Sequence, residues 1–244
     1  MRIEKVKVEG FRLLQDIEIM LEPNSTVIVG RNNSGKTSLT DVFDRFIGQS
    51  GPRFRLEDFS AASREKFFKA RMLRESGAKP EDVLAALPTI ALTLTFAYDT
   101  TAPNLGPLAP FVIDLDVAST KALVRVEYKP TLATLHILLD VAAPAESVEQ
   151  KPHFLRSLRD TIPKAYSIHV SAIDPTDATN RREFEGISAL SALVQCNFVR
   201  AQRTLDHAGQ GDADVIGKLL STLFKTATAP TAAAADQELA AKLE

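Results

Sequence analysis

Gly30-Arg31-Asn32-Asn33-Ser34-Gly35-Lys36-Thr37 fits the pattern G-x-x-x-x-G-K-[ST], and its flanks decide how it reads. Upstream, Thr26-Val27-Ile28-Val29 is apolar and β-branched, the texture of a buried strand. Downstream, Leu39, Val42, Phe43, Phe46 and Ile47 recur at the spacing of one helical face. Strand, glycine-bounded loop and helix together form a phosphate-binding loop. Gly30 and Gly35 allow backbone conformations that a Cβ disfavours. The loop N–H groups then converge, and the helix N-terminus adds partial positive charge. The candidate phosphate-binding set is therefore Gly30, Asn32, Asn33, Ser34, Gly35, Lys36, Thr37 and Ser38. Lys36 reaches the β- and γ-phosphates of a nucleoside triphosphate, and the Thr37 hydroxyl sits on Mg²⁺. A glycine-rich turn that merely precedes a helix is the plain alternative. The agreement of strand, spacing, Lys-Thr pair and helix weighs against it.

Working outward toward the N-terminus, residues 3 to 8 and 17 to 21 read as two strands with Gly10 between them, an antiparallel pair. Pro23-Asn24-Ser25 turns the chain into the loop strand. Toward the C-terminus, Gly48 to Pro52 breaks the pattern. Residues 60 to 76 then read as an exposed helix ending at Gly77. Its cluster Arg64, Lys66, Lys69, Arg71 and Arg74 reads as a solvated face, with a nucleic-acid surface as the sharper alternative. Pro80 opens a short helix.

The period then changes. Alternation over 90–98, 111–117, 122–128 and 135–139 predicts four successive strands of an antiparallel sheet. Pro144 to Pro152 reads as a linker, 153 to 160 as a short helix, and Tyr166, Ile168 and Val170 as a strand. Pro175 to Arg182 reads as a polar loop, Ile187 to Val194 as a helix, and Asn197-Phe198-Val199 as a short strand. Val215 to Phe224 carries a helical stripe. The expected organisation is one lobe over 1–225, followed by an Ala-rich tail or the start of a helical arm over 226–244.

Composition excludes some classes. The chain has 244 residues, 45% hydrophobic and 25% charged, and 29 basic against 31 acidic residues give a net charge of -2. No global basic signature for nucleic acid or membrane exists. The single cysteine, Cys196, lies in an apolar setting and reads as a small buried side chain. One cysteine allows no intrachain disulfide, which suits a reducing compartment. Met1 to Glu9 has no apolar leader-like run, and no apolar stretch approaches membrane-spanning length. A cytoplasmic protein with no membrane partner is expected.

Hydrolysis needs more than a phosphate loop. An aspartate at the end of an apolar strand usually holds Mg²⁺, and a further acid polarises water. Asp114 and Asp140 end apolar runs, but neither precedes a glutamate, and both read as sheet residues. No N-K-x-D guanine contact occurs, and Asp206-His207-Ala208-Gly209 is a D-x-x-G too short to be specific. No S-G-G-Q-type signature occurs. His136, His153, His169 and His207 lack zinc-like spacing.

Gly10-Phe11-Arg12, then V-G-R-N-N-S-G-K-T, then an antiparallel sheet resembles the first lobe of an ABC-type ATPase head. The resemblance is to the RecF/SMC-like group, in particular the OLD-family (overcoming-lysogenization-defect) ATP-dependent endonucleases. Gly30 to Leu39 resembles that family's loop, and Phe198 to Arg203 resembles the segment before its helical arm. The implied fold is α/β (α+β): a P-loop NTPase, specifically an ABC-ATPase-like first lobe with an added antiparallel sheet. The implied cofactors are ATP and Mg²⁺. By resemblance Arg12 lies near the nucleotide, Asn33 lies beside the γ-phosphate, and Gln202 serves the metal, with Gln195 a competing candidate. The implied partners are a second ATPase lobe or head, in a homodimer or higher oligomer, and DNA. Signature and water-activating residues belong to the second lobe of such heads, and a Toprim nuclease module follows them; neither is recognisable here. Two other classes stay open: a non-catalytic module in which ATP is structural, and a P-loop kinase or GTPase.

Overall fold

The computed structural model describes residues 1–48, 54–101, 104–114, 116, 118–139 and 151–197, with backbone alone for 151–153. Asp140, Gln202, the strand expected through Val199, the stripe over 215–224 and the 225/226 boundary lie outside the described residues. The described residues belong to one compact unit, Met1–Asn197.

A six-stranded, wholly antiparallel sheet organises that unit, in the order β2-β1-β3-β4-β5-β6. The strands are β1 (Arg2–Phe11), β2 (Leu14–Met20), β3 (Ile90–Ala97), β4 (Lys121–Pro130), β5 (Tyr166–Ile173) and β6 (Arg181–Phe184). The expected N-terminal pair forms, and its first strand runs on through Gly10 to Phe11. The turn falls instead at Arg12-Leu13, where Arg12 takes a left-handed φ of 49°. This hairpin is part of the main sheet, because β1 pairs with β3 as well as with β2.

Period-two alternation gives the sheet two unlike faces. Val6, Val8, Leu92, Leu94, Phe96, Val124, Val126, Val170 and Ala172 are buried on one. Against them pack α1 (Lys36–Ile47), α2 (Ala61–Glu75), α3 (Pro80–Ala86), α4 (Leu135–Leu139), α5 (Lys151–Ala165) and α6 (Ser188–Leu193), through residues such as Val42, Phe46, Phe67, Val83, Leu138, Leu158 and Leu190. Aromatic rings bind the 54–67 segment to the sheet. Phe54 stacks on Tyr128 at 4.5 Å, Tyr128 lies 5.1 Å from Tyr166, and Phe59 meets Tyr166 edge-on at 5.5 Å.

The other face is a lattice of ion pairs. Arg125 donates to Glu9, Glu127 and Thr93, while Lys129 and Arg181 also converge on Glu127. Burial alone would raise the Glu127 carboxyl. Hydrogen bonds from Lys129 and Arg125 overcome it and pull the pKa down to about 2.

Thr26–Val29 forms no strand: it pairs with nothing among the described residues, and Val27 and Val29 are 79% and 84% exposed. Its composition favours a strand, but no described strand lies beside it to complete a ladder. The described residues of 111–117 form no strand either. A 3₁₀ helix spans Gly106–Phe111, and irregular chain follows through 114. Pro107 and Pro110 remove ladder donors, and the Asp116 carboxylate accepts from the Ala118 N–H in a turn. Asp114 is therefore no sheet residue; it accepts from the Ser119 hydroxyl at 2.7 Å.

Residues 135–139 are helical. Leu135, Leu138 and Leu139 are buried at i, i+3 and i+4, and Thr131 and Thr134 cap the preceding 3₁₀ turn. Two of the four successive strands thus disappear. One unforeseen strand, β6, takes the end of the expected polar loop. The helix expected over 153–160 extends to Lys151–Ala165. The 60–76 helix is amphipathic rather than exposed, with Phe67 and Ala70 fully buried. Cys196 is half-buried rather than buried.

Candidate functional site

The glycine-bounded loop sits between the Thr26–Val29 stretch, exposed at Val27, Ile28 and Val29, and α1. Gly35 is the N-cap residue of α1, with a φ of 92° that a side chain would disfavour. A Cβ there would also come within 2.8 Å of Leu14 Cδ2, so the β1–β2 turn packs directly under the loop. Asn33 takes a left-handed φ of 64°, a conformation asparagine tolerates better than most residues. Ser34 fills the space beside Gly30, its hydroxyl 2.8 Å from where a Gly30 Cβ would stand. The Ser34 N–H donates back to the Arg31 carbonyl at 3.3 Å and holds the turn closed.

The start of α1 is open to an anion. No side chain caps it, and its first turn carries no acidic residue. Its leading N–H groups are left without helical acceptors, and the helix dipole adds positive potential there. α2 differs in this respect, because Ser60 caps it and accepts the Ser63 N–H at 3.1 Å. Lys36, the first residue of α1, turns its ammonium onto the Gly30 and Arg31 carbonyls, at 2.6 and 2.7 Å. Its charge is thereby held over the mouth of the loop. Asn32, Asn33, Ser34 and Thr37 are exposed, and Ser38 is buried under the first turn. Eight of the candidate residues, Gly30 and Asn32 to Ser38, thus lie in one loop-and-helix cradle. A cationic side chain, free amides and an exposed hydroxyl are a donor set suited to polyphosphate.

Arg12 sits elsewhere in the hydrogen-bond network. Its Nε donates to Asp58 Oδ1 at 3.0 Å, its Nη2 pairs with the same oxygen at 2.9 Å, and its Nη1 pairs with Asp41 on α1. Its backbone N–H donates to the Asp58 carbonyl at 2.8 Å. Burial alone would lower the Arg12 guanidinium, but Asp58 and Asp41 raise it above its ordinary value. Asp58, 2% exposed, also pairs with Arg45 at 3.4 Å and accepts the Arg55 N–H at 2.9 Å. Arg12 therefore clamps the β1–β2 turn to α1 and to the 3₁₀ helix Leu56–Asp58. Asp41 and Asp58 escaped the reading of the sequence. Neither stands in a motif, and only Asp41's place one turn along from Lys36 gave any signal. Gln195 is exposed just after α6.

A family model for the AAA ATPase domain (AAA_15) matches residues 1–174. The chain belongs to this AAA ATPase family. No curated protein matches it. The AAA ATPase match takes in the loop, α1, the Arg12 clamp and the sheet from β1 through β5, leaving β6 and α6 outside. An AAA ATPase domain has ATP as its ligand, which accords with a cradle built from Lys36 and the N-terminus of α1. Among the described residues, no helix is long and apolar enough to cross a membrane.

Proposed function

We propose that this chain is the ATP- and Mg²⁺-binding first lobe of an ATPase head of the OLD/RecF/SMC-like group, in which ATP binding governs assembly and thereby DNA processing. One observation carries the reading: a phosphate cradle with its lysine in place adjoins an apolar stretch, Thr26–Val29, that has no strand partner among the described residues. A second lobe, in the same polypeptide or another, would supply that partner, and with it the acid that activates water. The loop amides and Lys36 would hold the β- and γ-phosphates of a triphosphate, and the Thr37 hydroxyl would hold Mg²⁺. Mg²⁺ would spread the charge developing on the phosphoryl oxygens. Arg12 acts here by fixing the β1–β2 turn beneath Gly35 rather than by touching phosphate. Gln202 and Gln195 remain the two candidates to orient the metal's water.

Equilibrium titration with a fluorescent ATP analogue and Mg²⁺ tests this reading. The chain binds it, Lys36→Ala weakens binding at least tenfold or so, and ATP competes better than GTP. The melting temperature of the Lys36→Ala chain stays near that of the parent, because this lysine bonds only loop carbonyls. Turnover by the described lobe alone is slow, since water activation and donors from a partner head lie outside it. Fast hydrolysis that Lys36→Ala abolishes would sink the two-lobe reading, and a GTP preference would move the chain to another class.

A further inference from the structure

A second cleft lies on elements that the phosphate loop does not use. The 3₁₀ helix Leu56–Asp58, α2 and α5 enclose about 290 Å³, lined by Leu56, Glu57, Arg64, Leu155, Arg156 and Arg159. This is at the small end of ligand sites. Three guanidinium groups face a single carboxylate. Arg64 is fixed in place, its Nε donating to the Phe59 carbonyl at 3.1 Å and its Nη2 to the Glu57 carbonyl at 3.3 Å. A guanidinium has five N–H donors, so most of those on Arg64 remain for a ligand. Arg159 pairs with Glu57 at 2.7 Å. Arg156 is exposed and has no ion-pair partner among the described residues. Leu56 and Leu155 supply apolar walls between these charges.

We propose that this cleft binds a small phosphomonoester bearing an apolar ring or chain. Arg64 and Arg156 take the phosphate, Leu56 and Leu155 take the apolar body, and Glu57 competes with the phosphate for Arg159. The planar fork of arginine matches phosphate oxygens two at a time. A nucleic-acid backbone is the poorer fit, because the basic face of α2 is not continuous. Arg71 packs over the Phe154 ring at 5.5 Å and pairs with Glu75 at 2.8 Å, which takes it out of any row of phosphate contacts.

Isothermal titration calorimetry of the whole chain at low salt, with phenyl phosphate and with inorganic phosphate, tests the proposal. Phenyl phosphate binds more tightly than inorganic phosphate. Arg156→Ala, an exposed position that leaves the fold intact by circular dichroism, weakens it by about tenfold. Glu57→Gln tightens it several-fold, since a competing negative charge is gone. Lys36→Ala leaves it unchanged, which separates this site from the phosphate loop whether or not that loop binds ATP. The proposal is overturned if no phenyl phosphate binds, if Arg156→Ala has no effect, or if Glu57→Gln weakens binding. It is equally overturned if inorganic phosphate binds as tightly, or if Lys36→Ala removes the heat. Arg156-dependent binding of a DNA duplex without phenyl phosphate binding would assign the surface to nucleic acid instead.

Discussion

β3 and the Thr26–Val29 stretch are written in the same alphabet of β-branched and apolar residues, and they meet opposite fates. Ile90, Leu92, Leu94 and Phe96 are at most 1% exposed, with β1 on one side and β4 on the other. Val27 and Val29 are 79% and 84% exposed. Propensity therefore did not decide between them; the presence of neighbours did. A strand needs ladder partners for its N–H and C=O groups and an apolar layer for its side chains. β3 has both within the described lobe. The stretch before the loop has neither among the described residues.

The sharpest test of that contrast is Leu94→Ala in β3. Emptying a fully buried leucine site should cost about 2–5 kcal/mol of stability, read by urea unfolding. A cost under about 1 kcal/mol would mean that the sheet is far looser than its burial implies.

Next in size is the clamp that ties the sheet to the loop region. Asp58→Ala removes an acceptor from Arg12 and the Arg55 N–H, and an ion-pair partner from Arg45. Arg12 keeps some solvent and Asp41, so the expected loss is about 1–3 kcal/mol rather than that of a fully buried pair. Unfolding of Asp58→Ala beside Asp41→Ala checks it, and the buried Asp58 should matter more than the half-exposed Asp41.

A smaller, pH-dependent effect belongs to the ionic face. The Glu127 carboxyl titrates near 2 in the folded chain against an ordinary value of 4.5. Its contribution is therefore complete above pH 4.5 and fades as the pH falls toward 2. Glu127→Gln should be less stable than the parent at neutral pH and should show a flatter acid limb in thermal melts. Identical acid limbs would mean that Lys129 and Arg125 do not hold the ionised form. Smallest of all, the double substitution Val27→Thr and Val29→Thr should change the stability of the chain by no more than about 0.5 kcal/mol. A large loss would show that the stretch is covered in solution after all.

Much of the site was legible in sequence because its chemistry is local. The loop, α1 and its buried stripe of Leu39, Val42 and Phe46 stand as the motif and the period implied. β1 to β5 were legible wherever alternation coincided with β-branched residues. The reading failed where alternation was carried by leucine. Leu135, Leu138 and Leu139 satisfy a helical face as well as Leu135, Ile137 and Leu139 satisfy a strand, and a capped turn upstream settled the matter. It failed again at the strand expected over 111–117, whose described residues follow a 3₁₀ helix, Gly106–Phe111, that carries two prolines. The Arg12–Asp41–Asp58 clamp was illegible for a different reason. Its members are brought together by the fold from positions 29 and 46 residues away along the chain, and single carboxylates carry no spacing signal.

The bare stretch ahead of the loop also bears on how the lobe behaves in solution. Free backbone groups beside β-branched side chains are a template for adding a foreign strand, the usual origin of sticky, concentration-dependent preparations. Here the hazard is short. Glu22-Pro23 stands on one side and Gly30-Arg31 on the other, and only three residues, Val27, Ile28 and Val29, lie open between the Thr26 turn and the loop. Stacked fibrils draw on runs of about six or seven such residues, so the flanking charge, proline and glycine act as gatekeepers that leave room for one docking strand but not for an extended zipper.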